Sequence, residues 1–144
     1  MNGQVPRRAI ELPARLRAVL LEEAVRQAPA EACGMLLAAA GAPLHICDVI
    51  AIANRSADLD DYDIDHAEVR RVELSARARA QYVTGFYHSH PRGGAEPSER
   101  DLNAAWPGYI YLIVGGAEAP GPRAWRLVED RARFEEIAVV VTSS

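Results

Sequence analysis

His88 and His90 stand one residue apart at the end of the apolar run Gly85-Phe86-Tyr87. If that run is a strand, side chains two apart share a face, and both imidazoles point to the same side. Ser98 and Asp101 follow Pro97 and precede Leu102, Ala104, Ala105 and Trp106, which places them in the first turn of a short helix. Asp101 is therefore a third ligand within reach. Two imidazoles and one carboxylate leave a tetrahedral zinc ion with one position open to water, as in a catalytic rather than a closed structural site. The chemistry expected is that of a zinc hydrolase.

Plainer readings exist for each residue. A histidine standing alone is more often a core or surface side chain than a ligand, and His45 and His66 are read that way. Ser98-x-x-Asp101 is also a helix-capping pattern, in which the acid suits the helix dipole. The two roles are compatible, because a capped first turn is a rigid mount for a ligand and a hydroxyl donor. A hydrolase further needs a general base, and Glu22, Glu23, Glu31, Glu96 and Glu99 are all candidates. Glu31 borders a buried strand, where desolvation raises a carboxyl pKa, whereas the others are read as solvated. That favours Glu31, although a charge at a strand entrance is usually just solvated.

The elements that must position these residues follow from periodicity. Residues 1 to about 11 carry no periodic signal and are expected to be a loose lead-in or an edge segment. From Leu12, the positions Leu16, Val19, Leu20 and Ala24 trace an amphipathic helix, with Pro13 in its first turn and an end before Pro29. Ala32–Ala38 reads as a buried strand and Leu44–Ile52 as its antiparallel neighbour. Asn54–Asp63 is polar and acidic, a loop. Asp65 caps a second helix whose apolar face is Val69, Val72, Ala76, Ala80 and Val83, with Glu73 and Arg77 paired outside. That helix leads into the histidine strand. After the short helix come a continuous apolar strand, Tyr109–Val114, a loop at 115–122, and a closing strand pair, Arg123–Val128 and Phe134–Val141. The expected class is mixed α+β, a sheet flanked by two main helices and one short one.

At 144 residues the chain is read as one domain, 1–144 with a core of about 12–141, large enough to fold without a disulfide or metal staple. A net charge of -4 on interspersed acids and arginines provides no basic patch, so nucleic acid is not an expected partner. No apolar run is long enough to span a bilayer, and the residues after Arg7 and Arg8 lack the apolar core of a signal peptide. Cys33 and Cys47 form no Cys-x-x-Cys pair and read as free thiols. A cytoplasmic location is expected.

Glu31 followed by Cys33-Gly34-Met35-Leu36, together with His88-Ser89-His90-Pro91 and a His-x-His-x7-Ser-x2-Asp spacing that ends on Asp101, resembles the signature of the JAMM metalloproteases, the catalytic MPN domains. The likeness covers roughly residues 12 to 128. It implies a cytidine-deaminase-like fold, Zn2+ held by His88, His90 and Asp101, and Glu31 as the base for the water that completes the set. It also implies that Ser98 stabilises the oxyanion; Ser89 is given no chemical role. The implied substrate is a ubiquitin-like or sulfur-carrier protein joined to its adduct through a C-terminal Gly-Gly tail. The loops here are shorter than the ubiquitin-gripping insertions of eukaryotic members, which argues against polyubiquitin linkage specificity. Monomer and homodimer are both open. The alternative is a non-catalytic MPN scaffold that binds a ubiquitin-like partner, and such scaffolds typically lack the ligands kept here. A facial-triad iron site has its carboxylate close after the first histidine, the reverse of this order. Deaminase chemistry would need a further Pro-Cys-x-x-Cys.

Overall fold

In the computed structural model, which describes residues 8–128 and 133–143, the chain begins with β1 (Ala9–Pro13) and α1 (Ala14–Gln27). An antiparallel pair follows, β2 (Cys33–Ala39) and β3 (Ile46–Ile52), and then α2 (His66–Arg77). β4 (Gln81–Ser89) leads to α3 (Glu99–Ala104), and β5 (Ile110–Val114), β6 (Arg123–Leu127) and β7 (Phe134–Thr142) close the chain. The strands form one mixed sheet in the order β1-β7-β6-β5-β4-β2-β3, parallel at β1/β7 and β4/β5 and antiparallel elsewhere.

The sheet curls until its two end strands meet. The Glu11 amide donates to the Leu44 carbonyl at 2.8 Å, and Glu11 bridges His45. α1 fills the inside of this curl. Its Leu16, Leu20 and Ala24, at helical spacing, pack among Ile10, Leu12, Leu36, Tyr87, Leu112 and Ile137. Burying a leucine as completely as Leu20 stabilises by about 1.5–3 kcal/mol, and truncating one to alanine costs about 2–5 kcal/mol once the cavity is included. α2 covers the opposite face, where Val72 and Ala76 meet Cys33, Met35 and Leu37, the alternate side chains of β2.

β4 lies inside the sheet, with His88 in register with Cys33 of β2 and with Ile113 of β5. Gly85 permits the close approach of β5, because a Cβ there would sit 2.0 Å from the Ile110 carbonyl oxygen. Tyr87 points to the α1 side, where a Cβ on Gly34 would meet its ring at 2.5 Å.

Most expected elements are present, and the boundaries that shift most are the start of α1 and the end of α2. Leu12 belongs to β1, an edge strand paired in parallel with β7, and Pro13 is the N-cap of α1 instead of lying within its first turn. Residues 1–7 of the expected lead-in lie outside the described residues. α2 stops at Arg77, and Ala80, with φ of 57°, turns the chain so that Val83 belongs to β4. The apolar spacing ran on because Val83 faces the same cluster as Val72 from the neighbouring strand. The ion pair found on α2 joins Glu68 and Arg71 rather than Glu73 and Arg77. Asp65 caps α2 as expected, accepting from the Ala67 amide at 3.0 Å.

Candidate metal centre

β4 aims His88 to one side of the sheet, and His90, just past its end, keeps the same side because the His90 amide still bonds the Val114 carbonyl at 2.7 Å. The two Nε2 atoms lie 3.2 Å apart. Asp101 arrives on α3 and places Oδ1 3.1 Å from His88 Nε2 and Oδ2 3.1 Å from His90 Nε2. Zinc bonds of about 2.0–2.1 Å in a tetrahedron separate donor atoms by about 3.3 Å, so each of these pairwise separations is of the size found between ligands of one ion.

The first turn of α3 is capped from both directions. Ser98 Oγ accepts from the Asp101 amide at 3.1 Å, and Asp101 Oδ2 accepts from the Ser98 amide at 2.8 Å. The capping pattern and the approach of Asp101 to the histidines therefore coexist in one side chain. Because Ser98 Oγ accepts from that amide, its own O–H proton remains able to donate outward. The preceding loop is tied down by Trp125, whose indole N–H donates to the Ala95 carbonyl at 2.9 Å, and by Gly116, which bonds the Gly93 carbonyl at 2.8 Å. His90 Nδ1 donates to the Gly94 carbonyl at 3.0 Å, which fixes the ring with Nε2 turned toward Asp101.

Glu31 enters from the segment between α1 and β2. It is 5% exposed, and its Oε1 is buried with no hydrogen-bond partner among the described residues. Donor atoms of Glu31, His88 and His90 lie within 4.8 Å of one another, so two carboxylates converge on the imidazole pair. Their electrostatics differ. Burial pushes the Glu31 carboxyl up to about 7, partly opposed by His90. Burial acts on Asp101 in the same sense, but hydrogen bonds from His88 and His90 outweigh it and hold that carboxyl well below the usual carboxylate range. Burial also lowers the pKa of His88, which keeps its imidazole neutral. A cleft of about 160 Å3 borders Glu31, and one of about 410 Å3 begins at Pro91 beside His90.

The site residues read from the sequence thus come together. Glu22, Glu96 and Glu99 are exposed as expected, but Glu23 is not solvated: it is 7% exposed, and its carboxylate is held by Arg26 at 2.9 Å. Three supporting residues escaped the sequence reading. Ser89 Oγ accepts from the Ala32 amide at 2.8 Å, beside Glu31. Asn54 donates to the Glu31 carbonyl at 3.1 Å. Tyr62 stacks on the His88 ring with centroids 4.4 Å apart. An aromatic residue inside an otherwise acidic loop was the one available signal for Tyr62.

The chain is similar in sequence and in fold to known proteins. The family of prokaryotic homologues of the JAB domain matches residues 13–128. A desampylase of Haloferax volcanii is 32% identical over 83% of this chain and 84% of its own length. One from Pyrococcus furiosus is 30% identical over 88% and 85%. The solution structure of a Desulfitobacterium hafniense protein superposes with a TM-score of 0.83 at 24% identity, over 94% of each chain. A JAB1/MPN domain crystal structure from Archaeoglobus fulgidus gives 0.58 at 18% identity, over 94% of this chain and all of the other. With the motif, the curled mixed sheet and the matched family in agreement, the chain belongs to the prokaryotic JAB-domain family, the compact prokaryotic branch of the JAMM/MPN proteins.

Proposed function

We propose that this protein is a zinc-dependent peptidase that hydrolyses the bond after the C-terminal glycine of a ubiquitin-like or sulfur-carrier protein and so releases it from an adduct. The observation that carries this reading is the convergence of His88, His90 and Asp101, whose facing donor atoms lie pairwise 3.1 to 3.2 Å apart, with the buried Glu31 carboxylate beside the imidazoles. The desampylase name of both relatives supports the substrate class, since it denotes removal of a ubiquitin-like modifier of the SAMP type.

In this reading His88, His90 and Asp101 would hold Zn2+, which would supply Lewis-acid activation of water for attack near neutral pH. Asp101 is taken as the third ligand because its two oxygens reach both Nε2 atoms and its amide-capped turn keeps them there. Glu31, with an unpartnered buried oxygen, takes the proton from the attacking water and returns it to the leaving amine. Ser98 donates its hydroxyl proton to the oxyanion that develops on the scissile carbonyl. An extended glycine tail suits such a site, since a chain without side chains can lie along a sheet edge and pass a narrow cleft. The same reading treats residues 1–144 as one metallopeptidase domain. It works in the cytoplasm, in keeping with two free cysteines and, among the described residues, no helix long and apolar enough to cross a membrane.

The test is cleavage of a ubiquitin-like protein joined through its terminal glycine to a lysine side chain, by purified protein with and without chelator. Release that stops on chelation, returns with zinc and is absent in Glu31→Gln is the expected result. Cleavage indifferent to metal removal sinks the mechanism, and protein that purifies without stoichiometric zinc favours a binding scaffold.

A further inference from the structure

The loop at 54–65 reaches the Glu31 backbone, the His88 ring and the arginines beside His90 and Asp101, yet none of the motif residues lies in it. Its base is knotted by Asn54, which donates to the Glu31 carbonyl at 3.1 Å and the Asp61 carbonyl at 3.2 Å and accepts from the amides of Ser56 and Asp63. Its tip is tied to both ligand-bearing segments: Asp60 pairs with Arg92, two residues past His90, and Asp58 accepts from Arg100 at 2.6 Å, next to Asp101. Between base and tip, Tyr62 lies against the His88 ring, centroids 4.4 Å apart and planes 21° from parallel.

The two histidines are held differently. A metal-binding imidazole is ordinarily fixed by a hydrogen bond at its other nitrogen, and His90 has one, from Nδ1 to the Gly94 carbonyl at 3.0 Å. His88 has none: its Nδ1 is buried without a partner among the described residues. The ring still needs its tilt fixed, and stacking against a second aromatic plane does that.

We infer that Tyr62 is the positioning residue for His88, its ring pressed down by the loop at 54–65 and doing for His88 what the Gly94 carbonyl does for His90. The inference rests on the zinc reading above. A stacked ring orients an imidazole through its face alone, so the phenol hydroxyl has no part in it and phenylalanine replaces tyrosine. Alanine does not.

The experiment measures zinc affinity by competition with a chromogenic chelator, and the visible spectrum of the cobalt-substituted protein as a report on ligand geometry. Tyr62→Ala weakens zinc binding by about 10- to 100-fold, the range for losing an orienting partner, and shifts the cobalt bands. Tyr62→Phe leaves both as they were. Affinity and spectrum unchanged in Tyr62→Ala overturn the inference, and so does a loss in Tyr62→Phe equal to that in alanine. Should Tyr62→Ala fail to fold, Asp58→Asn with Asp60→Asn removes only the exposed ion pairs that hold the loop tip. That variant moves affinity and spectrum in the same direction, and no movement overturns the inference. Wild-type protein that takes up neither metal defeats the zinc reading itself, an outcome distinct from wild type and Tyr62→Ala binding alike.

Discussion

The hydroxyl of Ser89, the residue between the two histidines, accepts a hydrogen bond from the Ala32 amide at 2.8 Å, one residue beyond Glu31. The backbone repeats the tie, with the Ser89 amide donating to the Ala32 carbonyl at 3.0 Å. Ser89 is 1% exposed, so water cannot substitute for its oxygen. This pair ties the segment that carries Glu31 to the strand end that carries His88 and His90.

Removing that oxygen orphans a buried N–H. Ser89→Ala is expected to lose about 1–3 kcal/mol of stability, read as a lower Tm, and to reduce kcat with KM and zinc content retained. Ser89→Thr, which keeps the oxygen, restores most of both. An alanine variant with full kcat removes Ser89 from any part in placing Glu31.

The two carboxylates are expected to separate by assay. Glu31→Gln keeps zinc and loses about 100- to 10,000-fold in kcat, the range for a general base. Asp101→Asn loses metal first, because an amide is a poorer ligand for the position 3.1 Å from both imidazoles. Elemental analysis of both variants checks this; zinc lost from Glu31→Gln and kept by Asp101→Asn would exchange their roles.

Ser98 caps α3 and, in the proposed mechanism, also donates to the oxyanion, and the two have separate readouts. Ser98→Ala is expected to lose about 1 kcal/mol from the missing cap on α3. The lost oxyanion donor lowers kcat by about 100- to 1000-fold with little change in KM. Ser98→Asp keeps a cap without an O–H donor, so thermal melts should recover while kcat stays low.

Cys33 is 2% exposed, and burial pushes its thiol up to about 12. In the unfolded chain the same thiol ionises near about 8.5, so between these values the unfolded state binds fewer protons and stability falls as pH rises. Cys33→Ala should therefore flatten the alkaline arm of a Tm-against-pH curve. A disulfide-exchange reagent at about pH 8 should reach Cys33 only after denaturation. Rapid modification of Cys33 in the folded protein contradicts its burial.

Most elements were legible in the sequence because they carry a local signal: apolar residues of α1 recur at three and four, β5 is apolar throughout, and Ser98 with Asp101 marks the start of α3, whereas β1, with no periodic signal, stayed open between a lead-in and an edge segment. Boundaries were misread where two elements face one cluster, as Val72 of α2 and Val83 of β4 do, since a helical repeat then runs on across a turn.

Of the proposed site, the pair His88 and His90 with Asp101 within reach could be read from local chemistry, because metal ligands are restricted to a few side-chain types and to spacings that a strand end or a capped turn can hold; the choice of Glu31 among five glutamates and a role for Ser98 beyond capping came from the resemblance to the JAMM signature. What surrounds them was decided only by folding. Ser89 meets Ala32 across 57 positions of chain, Tyr62 meets His88 through a loop with no period, and Glu23 is buried by the way α1 packs into the curl. Such contacts depend on which strands pair and how far the sheet bends, quantities set by the whole core at once and written in no short stretch of sequence.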